Sequence, residues 1–201
     1  PTVGDPKDRY IEIWNLVFTQ YNKTSSGEME ELPQKCVDTG MGLERVQAIV
    51  EGFTDNYDST LFQNLSQYID SKISLTKDNL FIKKILLDHI RACCHLINDN
   101  VIPDREGRGY VLRRILRRSS RFVYKNNIKD PFLYQCAEVV CTSSNDFPEL
   151  KKNLAKIVDI IKSEEQKYLK TLGKGKDLID GFLKNKSSLD AETIFMLYDT
   201  Y

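Results

Sequence analysis

The chain shifts from strand-like composition before Arg45 to apolar residues recurring every third or fourth position after Asp58, so its first part is written for strands and the rest for helices. Residues 10–21 are rich in aromatic and β-branched types, which favours a buried strand. Alternation puts Ile11, Ile13, Asn15, Val17 and Thr19 on one face and Tyr10, Trp14, Leu16 and Phe18 on the other. The polar segment Asn22-Lys23-Thr24-Ser25-Ser26-Gly27 predicts a turn, and a second short strand is expected after Pro33 and Gln34, ending at Asp38. Two strands joined in this way bring Asn15 and Asp38 close together. A buried amide without a partner costs about 1–3 kcal/mol, so Asn15 needs either a protein group or a ligand.

Helical spacing takes over downstream. A helix is expected over residues 41–51, ended by Gly52, and another from the capping groups Asn56-Tyr57-Asp58-Ser59 to about residue 69, with a loop over 71–78. Ile82, Leu86, Ile90, Cys93, Cys94 and Ile97 predict an amphipathic helix over 80–98. His89 and His95 lie on it without a nucleophile or ligand partner at working spacing, and both are expected to be structural. Asp130-Pro131 opens a further helix, and Leu154, Ile157, Val158, Ile161, Tyr168, Leu169 and Leu172 mark a long one with Glu and Lys outward. Gly173 and Gly175 are expected to interrupt it before residues 178–183 resume, and a last helix starts near Asp190. The fold class is therefore mainly α with a small antiparallel β part, divided into residues 1–55 and 56–201.

With 201 residues, 41% of them apolar, the chain can bury one substantial core or two small ones in a soluble protein. Lys+Arg and Asp+Glu both number 29, so net charge gives no hint of a polyanionic partner. Five cysteines without a Cys-x-x-Cys pair argue for reduced thiols and against a structural zinc site. No apolar run approaches the roughly 20 residues that span a bilayer, so no membrane partner is expected.

Two stretches carry chemistry. In Cys36-Val37-Asp38-Thr39-Gly40-Met41-Gly42-Leu43-Glu44-Arg45, a carboxylate precedes two glycines one residue apart and an arginine in the first helical turn. The glycines admit a ligand against the backbone, and a planar, permanent cation can serve a phosphate or a base; a tight strand-to-helix connection is the plainer alternative. The second stretch holds Arg105, Arg108, Arg113, Arg114, Arg117, Arg118, Arg121 and Lys125, with Glu106 as its only acid. On a helix Arg114, Arg117, Arg118, Arg121 and Lys125 share one side, while Val111, Leu112, Ile115 and Phe122 can face a core. Like charges at this spacing repel unless an acidic surface or a polyanion neutralises them, and RNA phosphate is the simplest neutraliser.

Gly40-Met41-Gly42-Leu43-Glu44-Arg45 resembles motif 3 of the class II aminoacyl-tRNA synthetases, and Val37 to Arg45 is similar to the alanyl-specific family among them. The resemblance continues through Glu12-Ile13-Trp14-Asn15-Leu16-Val17-Phe18, Asn56-Tyr57-Asp58, Asp88-His89-Ile90-Arg91, Gly107-Arg108-Gly109-Tyr110-Val111-Leu112-Arg113-Arg114, Phe147-Pro148-Glu149-Leu150 and Leu197-Tyr198-Asp199-Thr200-Tyr201. It covers nearly the whole chain, in the family's order. It implies the end of a class II catalytic sheet followed by an all-helical tRNA-recognition domain.

The same resemblance implies activation of alanine with ATP and Mg2+ and transfer of alanine to the 3′ end of its tRNA. Asp38 would hold the ammonium group of alanine, Asn15, Val17 and Gly40 would frame the small amino acid, and Arg45 would contact ATP. Arg105, Arg108, Arg114, Arg117, Arg118, Arg121 and Asp199 would meet the acceptor stem of tRNA(Ala). No residue here matches a covalent nucleophile. Arg105 stands where the family has an asparagine that reads the acceptor-stem G·U pair. Motifs 1 and 2 would precede Pro1, so the fragment alone is expected to be inactive, and zinc is expected only in the family's editing region, outside this chain. A cytoplasmic setting follows from the resemblance, with an organellar copy as the alternative. The competing class of function is a stand-alone, non-catalytic RNA-binding or scaffolding module built on the arginine helix.

Overall fold

The computed structural model describes residues 10–76, 79–184 and 188–200, with side chains as far as residue 197. They divide into two compact units, one ending at Gln63 and the other beginning at Asn64.

The first unit is built on an antiparallel ribbon of β1 (Trp14–Lys23) and β2 (Met29–Met41). The connecting turn is closed by Thr24 N–H donating to Glu28 O at 2.9 Å, with Gly27 at φ +89°. A left-handed conformation there suits only a residue without a Cβ. Pairing runs from Trp14↔Met41 to Thr19↔Cys36, then shifts so that Tyr21 faces Glu31. The extra residues of β2 at that irregularity include Pro33, which has no N–H to give to a ladder and is tolerated at a bulge. The second strand therefore begins at Met29, before Pro33 rather than after it. The ribbon is also exposed rather than buried: Trp14, Leu16, Val17, Phe18 and Val37 all face solvent among the described residues. Two strands alone have no second layer with which to cover two apolar faces.

Helix α1 (Leu43–Val50) follows at once, entered through Gly42, whose N–H donates to Ile13 O at 3.1 Å. Gly52, at φ +79°, ends it. Asp55 accepts from Tyr57 N–H to start a single 3-10 turn at Asn56–Asp58. Glu51 then accepts the N–H of Thr60 at 2.8 Å, and these bonds from Thr60 and Gln47 hold its carboxyl below the ordinary value. Helix α2 (Thr60–Lys72) starts on that bond.

The second unit is helical. Helix α3 (Leu80–Asn98) has the predicted bounds and packs against α4 (Gly107–Lys125), α5 (Leu133–Ser143), α6 (Pro148–Lys152) and α7 (Leu154–Leu183). Leu86, Leu87, Ile90, Cys93, Cys94 and Ile97 of α3 are fully buried, as are Leu133, Cys136, Ala137, Ile157 and Ile161 opposite them. His95 lies edge-on to Phe147 at 4.8 Å, and His89 Nδ1 is 2.9 Å from Asp88 Oδ2, so both histidines make structural contacts. Helix α8 (Ala191–Thr200) begins where Asp190 accepts Thr193 N–H at 2.8 Å.

Two expectations about α7 are corrected. The helix runs unbroken through Gly173 and Gly175, because its apolar stripe on either side outweighs roughly 1 kcal/mol of propensity per glycine. Its Glu164 and Glu165 point inward and are buried instead of lying on the outer face. Among the described residues, no helix is long and apolar enough to cross a membrane. Nor does any group of three or more His, Cys, Asp or Glu residues stand ready to hold a metal ion.

Candidate functional site

Cross-strand pairing assembles one candidate face. Asn15 stands opposite Gly40 and Val17 opposite Asp38, so four residues from distant positions project from neighbouring points of one ribbon face. Asn15 Oδ1 accepts the N–H of Gly40 at 3.2 Å, and its Nδ2 donates to Glu12 Oε1 at 3.4 Å. A Cβ at Gly40 would lie 3.3 Å from that Oδ1. The amide is thus oriented by the protein, and its neighbour is kept small where the amide crosses it. On the reverse face Trp14 Nε1 donates to Thr39 Oγ1 at 2.5 Å, and Thr39 Oγ1 donates to Asn15 O at 3.0 Å, which pins the same strand segment from behind.

Arg45 emerges from the first turn of α1 and folds back, its Nη1 donating to Glu12 O. A Cβ at Gly42 would stand 3.3 Å from Arg45 Cδ, so the glycine leaves the path of that side chain free. Glu12 bonds both Asn15 and Arg45 and therefore ties the amide to the guanidinium. It lay within a recognisable block, but nothing in its spacing marked it as the link. Asp38 and Asn15 are both solvent-exposed, so the arrangement is an open face carrying an acid, an amide and a nearby arginine. Such a set suits a small zwitterion: carboxylate against ammonium, amide against carboxylate.

The second candidate site lies on α4, whose sides are set by helical arithmetic. Leu112, Leu116, Ser119 and Val123 are buried. Moving that pattern two residues along, or about 200° around the axis, gives Arg114, Arg118, Arg121 and Lys125, all exposed. Val111, expected to face the core, is instead 55% exposed, because the apolar seam runs through Leu116 and the buried Ser119 and Ser120. Those two hydroxyls donate to Ile115 O and Leu116 O of their own helix, so small side chains can be buried there without orphaned groups.

Arg117 sits apart from the exposed stripe. Its Nε donates to Glu164 Oε1 at 2.8 Å, Arg113 Nε reaches the same oxygen at 3.3 Å, and the Arg117 guanidinium lies over the Tyr168 ring at 5.5 Å. A buried carboxylate thus offsets part of the basic run from within the protein. Among the described residues, the ion pairs do not engage Arg114, Arg118 or Arg121. Together with Arg117 and Tyr168 these three line an open cleft of about 430 Å³. Four guanidinium groups around one concavity favour a phosphate-rich polyanion.

Arg105 and Arg108 are exposed beside the N-terminus of α4, Arg105 on the preceding loop and Arg108 in the first turn. That loop is pressed tightly on the helix: a Cβ at Gly109 would fall 2.4 Å from Ile102 O and 2.7 Å from Asp104 Cβ. Asp199 is carried by α8, but its side chain lies outside the described residues.

The sequence matches the model of a family described as tRNA synthetases class II (A) over residues 2–201. It is 46% identical to an alanine–tRNA ligase of Bordetella petrii over 98% of this chain and 24% of that relative. It is 42% identical to one of Cupriavidus necator, again over 98% and 24%, and 43% identical to one of Vesicomyosocius okutanii over 96% and 23%. The chain thus spans about a quarter of the length of these curated relatives.

Proposed function

The chain belongs to the class II (A) tRNA synthetases, and on that premise we propose that it is the segment of an alanine–tRNA ligase that carries part of the amino-acid site and the helices that dock tRNA. Asp38 holds the ammonium group of alanine, Asn15 orients its carboxylate, and Val17 and Gly40 limit the space around its methyl group. Arg45 contacts ATP, exchanging its bond to Glu12 O for a phosphate or base contact. ATP with Mg2+ is a substrate here. The reaction is attack by the alanine carboxylate on the α-phosphate, in which these side chains position groups and screen charge without forming a covalent bond. Arg105, Arg108, Arg114, Arg118 and Arg121 then grip the acceptor stem of tRNA(Ala), with Arg117 on the rim of the cleft and Asp199 reading the stem.

The observation that carries this proposal is the pairing of Asn15 with Gly40 and Val17 with Asp38 on one ribbon face. It is tested in the complete ligase by alanine-dependent ATP–pyrophosphate exchange. Asp38→Ala is expected to remove exchange at ordinary alanine concentrations and leave the KM for ATP nearly unchanged. An unaltered KM for alanine would overturn the assignment. The 201-residue chain alone is expected to give no exchange above background, since it spans only about a quarter of the length of the ligases it matches.

A further inference from the structure

The arginine cleft borders a second cavity of different chemistry. Tyr168 lines both, and beyond it a pocket of about 280 Å³ is walled by Thr171, Leu172, Gly175, Ile179, Leu197 and Lys176, whose ammonium group is paired with Asp180. The lining is mostly apolar, and Gly175, buried within α7, contributes no side chain to it. One cavity therefore offers cations and its neighbour an apolar slot with an aromatic wall.

Neither part is satisfied by a simple occupant. A free phosphate would neutralise Arg114, Arg118 and Arg121 but leave the pocket wet. An apolar peptide would fill the pocket and leave three guanidinium groups without a counter-charge. A nucleotide whose base is not stacked in a duplex meets both demands, because proteins that hold unpaired nucleotides combine a basic groove for the backbone with aromatic and apolar surfaces for the base. We infer that the two cavities form one composite site for an unpaired nucleotide of the bound RNA, its phosphate on Arg114, Arg118 and Arg121 and its base in the pocket beside Tyr168. This rests on the RNA-docking role proposed above for α4 and adds to it a preference for a single-stranded element.

The test compares two RNA hairpins of the same stem at fixed salt, one blunt-ended and one with a short unpaired 3′ tail containing a fluorescent adenine analogue. The tailed hairpin is expected to bind about tenfold more tightly, with quenching of the analogue. Gly175→Leu, which fills the pocket, is expected to abolish both the preference and the quenching and to leave blunt-hairpin binding unchanged. Ile179→Gln, at an exposed wall position, is expected to act in the same direction independently of any effect of leucine on α7. Equal binding of the two hairpins by the unaltered chain, or a preference that survives both substitutions, overturns the composite site alone. If neither hairpin binds, the RNA-docking role of α4 falls and takes this site with it.

Discussion

Gly40 donates its backbone N–H to Oδ1 of Asn15, directly across the ribbon, at 3.2 Å. The bond fixes which end of the amide faces the backbone and leaves Nδ2 on the side of Glu12. Gly40→Ala would bring a methyl group to 3.3 Å from that oxygen, tighter than most such contacts. In the complete ligase we expect Gly40→Ala and Asn15→Ala each to raise the KM for alanine about tenfold or more, in line with about 1–3 kcal/mol for a misdirected hydrogen bond. Steady-state exchange kinetics with varied alanine check this, and an unchanged KM in both variants would contradict it.

Glu164→Gln is expected to separate stability from RNA affinity. Glu164 is buried and accepts from both Arg113 and Arg117, so the substitution leaves two half-buried guanidinium groups without their counter-charge. We expect a loss of about 3 kcal/mol in urea unfolding. RNA affinity should hold or rise, because the substitution removes a negative charge next to the cleft. A fall in affinity of the folded variant would mean that the Glu164 pair orders the RNA-contacting surface.

Glu165 makes stability depend on pH. It accepts the N–H groups of Phe132 and Leu133 and so caps the start of α5 from the side of α7. Burial pushes its carboxyl up to about 7, and the bonds from the α5 backbone only partly oppose that rise. Because the folded value lies above the unfolded one, this group's contribution is fully present below about pH 4.5 and is lost as pH rises through about 7. The stability of the unaltered chain minus that of Glu165→Gln should therefore fall by about 3 kcal/mol between acid and mildly alkaline pH. Urea unfolding at both ends of that range measures it, and a constant difference would contradict the placement.

Gly109 sets the position of the loop that carries Arg105. Any side chain there meets Ile102 O and Asp104, so Gly109→Ala must displace the loop or the first turn of α4. We expect weaker acceptor-stem binding with little change in salt dependence, since no charge is removed. At the neighbouring position, a guanidinium only donates whereas an amide also accepts. Arg105→Asn is accordingly expected to widen the discrimination between G·U and G·C stems, and unchanged discrimination would show that Arg105 holds backbone.

Local periodicity was enough to reveal most of the elements. The bounds of α3 follow from its apolar spacing, and β1 follows from its aromatic and β-branched composition before a polar turn, whereas β2 begins ahead of Pro33 instead of after Gln34. Asn15, Val17, Asp38 and Gly40 were legible through the family resemblance, and register then showed that they are neighbours. Less legible were features fixed by partners far along the chain. Glu164 and Glu165 look like ordinary surface acids on a helix rich in Lys, and only the approach of α4 and the start of α5 makes them buried acceptors. Nothing within β2 announces that Pro33 sits at a bulge, because the bulge belongs to its pairing with β1. The exposed arginines could be grouped by helical spacing, but Arg117 could be told from Arg118 only once Glu164 was in place.

If the exposed face of α4 docks RNA through phosphate contacts, the slope of log K against log salt for an acceptor-stem hairpin counts those contacts. Each phosphate contact removed should lower the slope by about 1. Replacing both Arg118 and Arg121 by alanine should therefore reduce it by about 2 and weaken binding of every stem sequence alike. A double variant with the slope and affinity of the unaltered chain would contradict the account.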